Sequence, residues 1–306
     1  MSRGRWIVSA TVVLLVIYAA SQVHWQSAGR TMATAAAAPL IAAIVINVFS
    51  VALRGLRWWI FLRRVGPVSL ATSVRGAIVG SGFNNLLVAN GGDATRAVLV
   101  SRAAGLSVTS IVATLALDRL FDPICFGLLL FMATFVIPLP PQLSEARPIA
   151  GAALVAVLGL LVWLVRAPVR PERQMDEGGG WRARVHAFRQ HVAFLATTRR
   201  LILAMAVSIA VWTTQIVTFA LVARSVGAPL PLAGTIAALL LTNTGLVLRA
   251  TPGNVGYFQF AYAVAAARFG ISTETAVAAA MLLQLVQIVP VTLSALALAP
   301  TFSRRA

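Results

Sequence analysis

Pro148-Ile-Ala-Gly-Ala-Ala-Leu-Val-Ala-Val-Leu-Gly-Leu-Leu-Val-Trp-Leu-Val165 holds no charged side chain, and its one polar side-chain atom is the indole nitrogen of Trp163. A bilayer core of about 30 Å needs about 20 such residues in helical form. Similar runs lie on either side of it: Trp6–Val23, Pro39–Leu62, Val108–Ile137, Leu201–Ala223 and Thr275–Ala299. Trp6–Val23 follows Arg3 and Arg5 as a signal peptide would, but no small-residue cleavage site follows and apolar runs continue to the C-terminus. It reads as an uncleaved first span.

The composition agrees. Of the 306 residues 59% are hydrophobic and 11% charged, with a mean hydropathy of +0.87. Soluble domains carry about 25% charged residues. One soluble core could not bury this much apolar surface, so the chain is expected to be an all-α, polytopic integral membrane protein forming a single membrane domain over 1–306. Twenty-five basic residues stand against eight acidic ones, a net charge of +17. In a soluble domain that would suggest a nucleic-acid partner; the apolar runs exclude it, and no nucleic acid is expected. Every basic residue is arginine, which a GC-rich genome explains. Cys125 is the lone cysteine, which excludes an internal disulfide and any multi-cysteine metal site.

Two apolar stretches are less regular. Val68–Asn90 is expected to be broken by Gly76, Gly80, Gly82, Asn84 and Asn85, and Leu232–Leu248 runs into Arg249 and Thr251-Pro252-Gly253-Asn254-Val255-Gly256. If each enters and leaves on one side, 16 arginines fall in cytoplasmic segments and only Arg30, Arg147 and Arg224 outside. The expected topology is therefore six full spans plus two broken, re-entrant hairpins, with up to eight hydrophobic segments in all. Both termini face the cytoplasm, in the inner (cytoplasmic) membrane of a bacterium. In the cytoplasmic loop 166–200, Trp181, Val185, Phe188, Val192 and Leu195 recur at helical spacing among arginines, the pattern of an amphipathic interfacial helix drawn to anionic lipid. His186 and His191 lie on its polar side, five residues apart, and make a poor metal site.

A weak internal repeat runs through this pattern. Arg102-Ala-Ala-Gly105-Leu106-Ser107 is echoed by Ala267-Arg268-Phe269-Gly270-Ile271-Ser272, 165 positions on. Each copy follows a glycine-rich break and precedes a long Ala-rich helix. With hairpins entering from opposite sides, this is the mark of an inverted repeat, typical of transporters; read alone, Gly-apolar-Ser is a common helix-boundary string.

Three groups of residues could carry chemistry. In the first, Asn84 and Asn85 could satisfy backbone groups freed by a helix break or contact a headgroup. Asp93 is placed to cap a helix starting at Ala94, and Arg96 lies within salt-bridge reach of it. The second is Asp118-Arg119-Leu-Phe-Asp122, inside a span, where charges are costly and usually paired or functional. Arg119 can reach Asp122 at i+3; the other carboxylate needs a partner such as Arg75, Arg96 or Arg249. Two aspartates four apart could hold a divalent cation, but no third acidic ligand lies nearby, and no metal or cofactor is expected. The third is Asn243, Arg249, Pro252, Gly253, Asn254, Gly256 and Gln259. Here a helix restarting near Val255 would aim its positive end into the hairpin beside Arg249, which suits a phosphate or pyrophosphate. A plain re-entrant turn with Arg249 snorkelling outward reads as well.

These stretches resemble the flippase-like family named for the transmembrane region of lysylphosphatidylglycerol synthase, over nearly the whole chain. That family's Asn-Asn-x-x-Pro-x-Arg-x-Gly-Glu-x-x-Arg, Glu-Arg-x-x-Asp and Pro-Gly-Gly-x-Gly-x-x-Glu stretches are matched in order by three sets. They are Asn84-Asn85 with Gly92-Asp93 and Arg96; Asp118-Arg119 with Asp122; and Pro252-Gly253-Asn254-Val255-Gly256 with Gln259. Val88 and Asn90 stand where proline and arginine are frequent, Gln259 where glutamate is frequent, and Gln284 where a basic residue is common. The aminoacyl-transfer domain of the synthases has no counterpart in these residues.

The resemblance implies a flippase-like protein that binds or translocates an anionic lipid or lipid-linked glycan, whether phospholipid, hopanoid or polyprenyl-type. Its expected partners are anionic headgroups and proteins of a glycolipid pathway, and it is not expected to be an enzyme. The competing readings are an accessory subunit of a glycolipid or lipid-modifying pathway, and a membrane-embedded transferase using Asp93, Asp118 and Asp122.

Overall fold

The computed structural model describes residues 24–86, 91–136, 146–166, 188–190, 192–248 and 256–303. Among them are eleven helices and no strand: α1 (Trp25–Ala33), α2 (Ala37–Val65), α3 (Leu70–Leu86), α4 (Gly91–Ala104), α5 (Val108–Val136), α6 (Ala146–Val165), α7 (Thr198–Ser225), α8 (Leu232–Leu248), α9 (Tyr257–Ala267), α10 (Thr273–Leu298) and α11 (Pro300–Ser303). Four segments are long and apolar enough to cross a membrane: Ala37–Val65, Arg147–Val165, Thr198–Ser225 and Thr273–Phe302. The fifth expected span, α5, has the length, at 29 residues, but carries Asp118, Arg119 and Asp122 near its middle. The sixth, Trp6–Val23, lies outside the described residues. The chain is thus an all-helical, multi-pass protein. Ile149, Val155, Ile202 and Leu293 project from these helices as exposed apolar side chains, as lipid contact requires.

The break expected at Gly76, Gly80 and Gly82 is absent: α3 runs through all three and through Asn84 and Asn85, ending at Leu86. These glycines are notches for neighbours. A Cβ on Gly80 would stand 2.7 Å from Cδ of Arg96, one on Gly76 2.7 Å from Val100, and one on Gly82 would collide with Ala295. Where lipid gives apolar surface no reason to leave it, close backbone approach holds helices together, and small residues permit it. α3 ends at Leu86, α4 begins at Gly91, and the two helices pack on each other. Residues 87–90 lie outside the description. A Cβ on Gly92 would run into the Gly80 carbonyl oxygen and stand 2.5 Å from the Asn84 nitrogen. The second hairpin packs α8 on α9. Residues 249–255 lie outside the description, and α9 begins at Tyr257 rather than near Val255.

The chain gathers into two compact units. The first comprises residues 1–49, 135–137 and 213–290 and contains the second hairpin. Its core is rich in alanine (Ala238, Ala261, Ala265, Ala276 and Ala280 are buried), with the Phe219 ring tilted against those of Phe258 and Tyr262 at centroid distances of 6.4 and 6.2 Å. Asn47 donates to the Val286 carbonyl at 3.1 Å. The second unit comprises 50–134, 138–212 and 291–306 and contains the first hairpin. There Phe61, Leu117, Phe121 and Leu164 form one cluster and Trp58, Leu62, Val100 and Ile111 another. Val192 and Leu195, from the expected interfacial helix, are buried in the former cluster; the part of that helix from 167 to 187, with His186, and also His191 lie outside the described residues.

One corner is built twice, 165 positions apart. Gly105 (φ +64°) closes α4 and Gly270 (φ +75°) follows α9, both in the left-handed region that glycine enters freely. Leu106 N–H donates to the Ser101 carbonyl at 3.1 Å, and Ile271 N–H to the Ala266 carbonyl at 3.4 Å. Ser107 Oγ then accepts the Ser110 N–H at 3.2 Å, and Ser272 Oγ the Thr275 N–H at 3.3 Å, so a serine cap starts each long helix. Each of those helices, α5 and α10, contains one proline, Pro123 and Pro290.

Candidate functional site

The second unit holds a charge network inside apolar helices. Its hub is Arg57 on α2, 1% exposed. Its Nε donates to Asp118 Oδ1 at 2.7 Å, and its Nη1 to Asp122 Oδ1 at 2.8 Å and Ser208 Oγ at 3.0 Å. Asp118 and Asp122 lie one turn apart on α5 and face the same way, so one planar guanidinium serves both. The partner sought for the second carboxylate is therefore Arg57. Of the three arginines considered, Arg96 contributes, with Nη2 3.7 Å from Asp118 Oδ2. Arg75 instead lines a separate small cavity with Thr72, Ala103, Thr301 and Phe302, and Arg249 is outside the description.

The first hairpin closes onto this hub. Asp93 is the third residue of α4, which starts at Gly91, so it does not cap a helix beginning at Ala94 as the sequence suggested. Its carboxylate is used across helices: Arg119 Nη2 meets Oδ1 at 2.5 Å, Asn84 Nδ2 donates to the same oxygen at 3.4 Å, and Arg96 Nε lies 3.2 Å away. Arg119 also reaches Asp122 Oδ2 at 3.4 Å, the expected i+3 contact. Asn84 Oδ1 accepts the Gly92 N–H at 2.9 Å, tying α3 to the start of α4. Asn85 stays out of the network and bonds Thr292 Oγ1 at 3.2 Å.

Arg96 is 3% exposed, yet its Nε and Nη2 have no well-aligned hydrogen-bond acceptor. Its guanidinium lies 4.8 Å from the Trp58 ring centroid, and Trp58 is fixed by an indole bond to Thr114 Oγ1 at 2.9 Å. A desolvated cation over an indole face is held by about 2 kcal/mol or more. Ion pairing of this kind offsets a desolvation cost of several kcal/mol per ion. The exposed edge of the network is Arg119, whose side chain is 39% exposed, with Asp122 beside it.

In the first unit the glycine-rich break ends at Gly256, with φ +88°. Gln259 Oε1 accepts the Gly256 N–H at 2.7 Å, and its Nε2 donates to Gln284 Oε1 at 2.6 Å. The two positions where family-typical charge is missing thus bond each other as a neutral pair. Thr244 and Tyr257 hydroxyls meet at 2.6 Å across the hairpin, and Asn243 bonds the carbonyl of Leu239 on its own helix at 2.8 Å. Arg249, Pro252, Gly253 and Asn254 lie outside the described residues.

The sequence reading missed Arg57, Arg54 and Ser208. An arginine inside an otherwise apolar span was the available signal for the first two.

A curated glycosyltransferase, AglD of Haloferax volcanii, is 29% identical over 283 residues, covering 79% of this chain and 45% of the relative. The chain therefore spans less than half of that protein's length. The family described as the lysylphosphatidylglycerol synthase TM region matches residues 5–295, and the chain belongs to this family.

Proposed function

We propose that this protein is flippase-like and carries an anionic lipid or lipid-linked glycan across the cytoplasmic membrane, with both termini on the cytoplasmic side. Membership of the family and the likeness to AglD set it among membrane proteins of lipid or glycolipid pathways. The observation that carries the finer reading is the network of Arg57, Arg96 and Arg119 with Asp93, Asp118 and Asp122, assembled in apolar helices by a hairpin that ends there. Charges at such depth mark substrate paths. The twice-built corner favours an inverted repeat, in which the two hairpins are equivalent and alternate in exposing a site to each face.

Reconstitution into liposomes carrying a fluorescent anionic phospholipid tests this. Dithionite should bleach the inner-leaflet pool faster than in empty vesicles, and Asp118→Asn should remove most of the gain. Bleaching no faster than in empty vesicles, for phospholipid and polyprenyl-phosphate probes alike, would overturn the reading. The name of the AglD relative favours a second one, transfer of a sugar onto a lipid within the membrane. Retained pathway function in Asp118→Asn and Asp122→Asn together would exclude it.

A further inference from the structure

The network contains a fourth cation. Arg54 precedes Arg57 by three residues on α2 and so shares its face. From that face Arg57 Nη1 bonds Asp122 Oδ1 at 2.8 Å, so Arg54 lies on the side of the helix turned toward this carboxylate. Its Nε is buried without a hydrogen-bond partner. Among the described residues of the second unit, Asp93, Asp118 and Asp122 are the only acidic side chains, and all three are engaged by Arg57, Arg96 and Arg119. Among the described residues four guanidiniums thus stand against three carboxylates, and Arg54, half-buried on an apolar span, has no carboxylate within ion-pair distance. Such a charge is strongly unfavourable unless an anion joins it.

We infer that the edge of the network formed by Arg54, Asp122 and Arg119 is a binding site for one phosphate-type monoanion, with Arg54 the residue that makes the site selective for negative charge. This rests on the lipid-binding reading above and names the group recognised. Phosphate suits the place because guanidinium groups present forked donors matched to its oxygens. Arg119 supplies the exposed arm and Arg54 a half-buried one whose Nε is enclosed. Asp122 holds Arg57 and Arg119 in place and, by its own charge, limits the affinity so that the anion can leave.

The test is titration of the purified protein in neutral detergent with short-chain phosphatidylglycerol, and separately with inorganic phosphate, read as the rise in unfolding midpoint. Wild type should be stabilised by the lipid. A match by phosphate alone would identify a free anion as sufficient, and lipid alone a headgroup with its chains. Loss of a charged hydrogen bond predicts at least tenfold weaker binding, to about a hundredfold, in Arg54→Gln. Arg54→Lys should retain most of the binding, and Arg102→Gln, at the exposed end of α4, should bind as wild type does. Without ligand, Arg54→Gln should unfold no lower than wild type, since an uncompensated charge is gone. Asp122→Asn, which raises the net charge, should bind the anion more tightly, a sign check independent of Arg54. Unchanged binding in Arg54→Gln, or a ligand-free loss of stability that Arg54→Lys repairs, would overturn this site alone. Failure of wild type to bind either probe would overturn it together with the reading it rests on.

Discussion

Arg57 addresses two carboxylates through different nitrogens, Asp118 through Nε and Asp122 through Nη1, and closes the set with Ser208. A lysine ammonium is a point charge and cannot reproduce that fork. Arg57→Gln should therefore cost about 3–5 kcal/mol of stability by leaving two carboxylates underpaired, and Arg57→Lys should recover little of it, as read from denaturant unfolding in detergent. The same geometry shows which contacts could be read from sequence. Arg119 and Asp122 are three apart on one helix, so their pairing follows from the helical period. Arg57 and Asp118 are 61 positions apart. The period says which face each presents but not which helix will lie opposite, so the sequence alone did not pair Arg57 with Asp118.

Hairpin α3–α4 depends on glycine for contact rather than for bending. A methyl at Gly92 would enter the Gly80 carbonyl, whereas one at Gly159 on α6 would meet nothing within 4 Å. Gly92→Ala should thus prevent the hairpin from closing and greatly reduce the yield of monodisperse protein. Gly159→Ala should leave both yield and unfolding midpoint essentially unchanged. Size-exclusion profiles and unfolding midpoints of the two variants check this. The existence of both hairpins was legible because each glycine- and asparagine-rich stretch falls within an apolar run. The helix break expected at Gly82 did not form, since the helix-breaking tendency of glycine belongs to exposed helices in water, and here each notch is filled by a neighbour. The restart of the second hairpin was placed nearly correctly, within two residues of Tyr257, because Pro252 and Gly253 cannot continue a helix.

Across the whole chain, Asp93 and Gln259 are each the third residue of the returning helix of their hairpin, and Asp118 and Gln284 stand at the same separation of 166, one more than that of the repeated corner. In one unit both carboxylates lie near Arg96, at 3.2 and 3.7 Å; in the other the two glutamines bond each other. Gln259→Glu or Gln284→Arg alone should destabilise, and together they should recover, with a coupling of about 0.5–3 kcal/mol in a double-mutant cycle. Additive losses would show that the two positions do not act as a pair. The absence of lysine has a further consequence. Guanidinium groups keep their protons at any physiological pH, so the positive members of the network are fixed charges, and the Gln259–Gln284 pair does not titrate. If transport draws on a proton gradient, only the network's carboxylates, and not its arginines, offer a place for the proton. Coupling would then require a step in which one of them parts from its arginine.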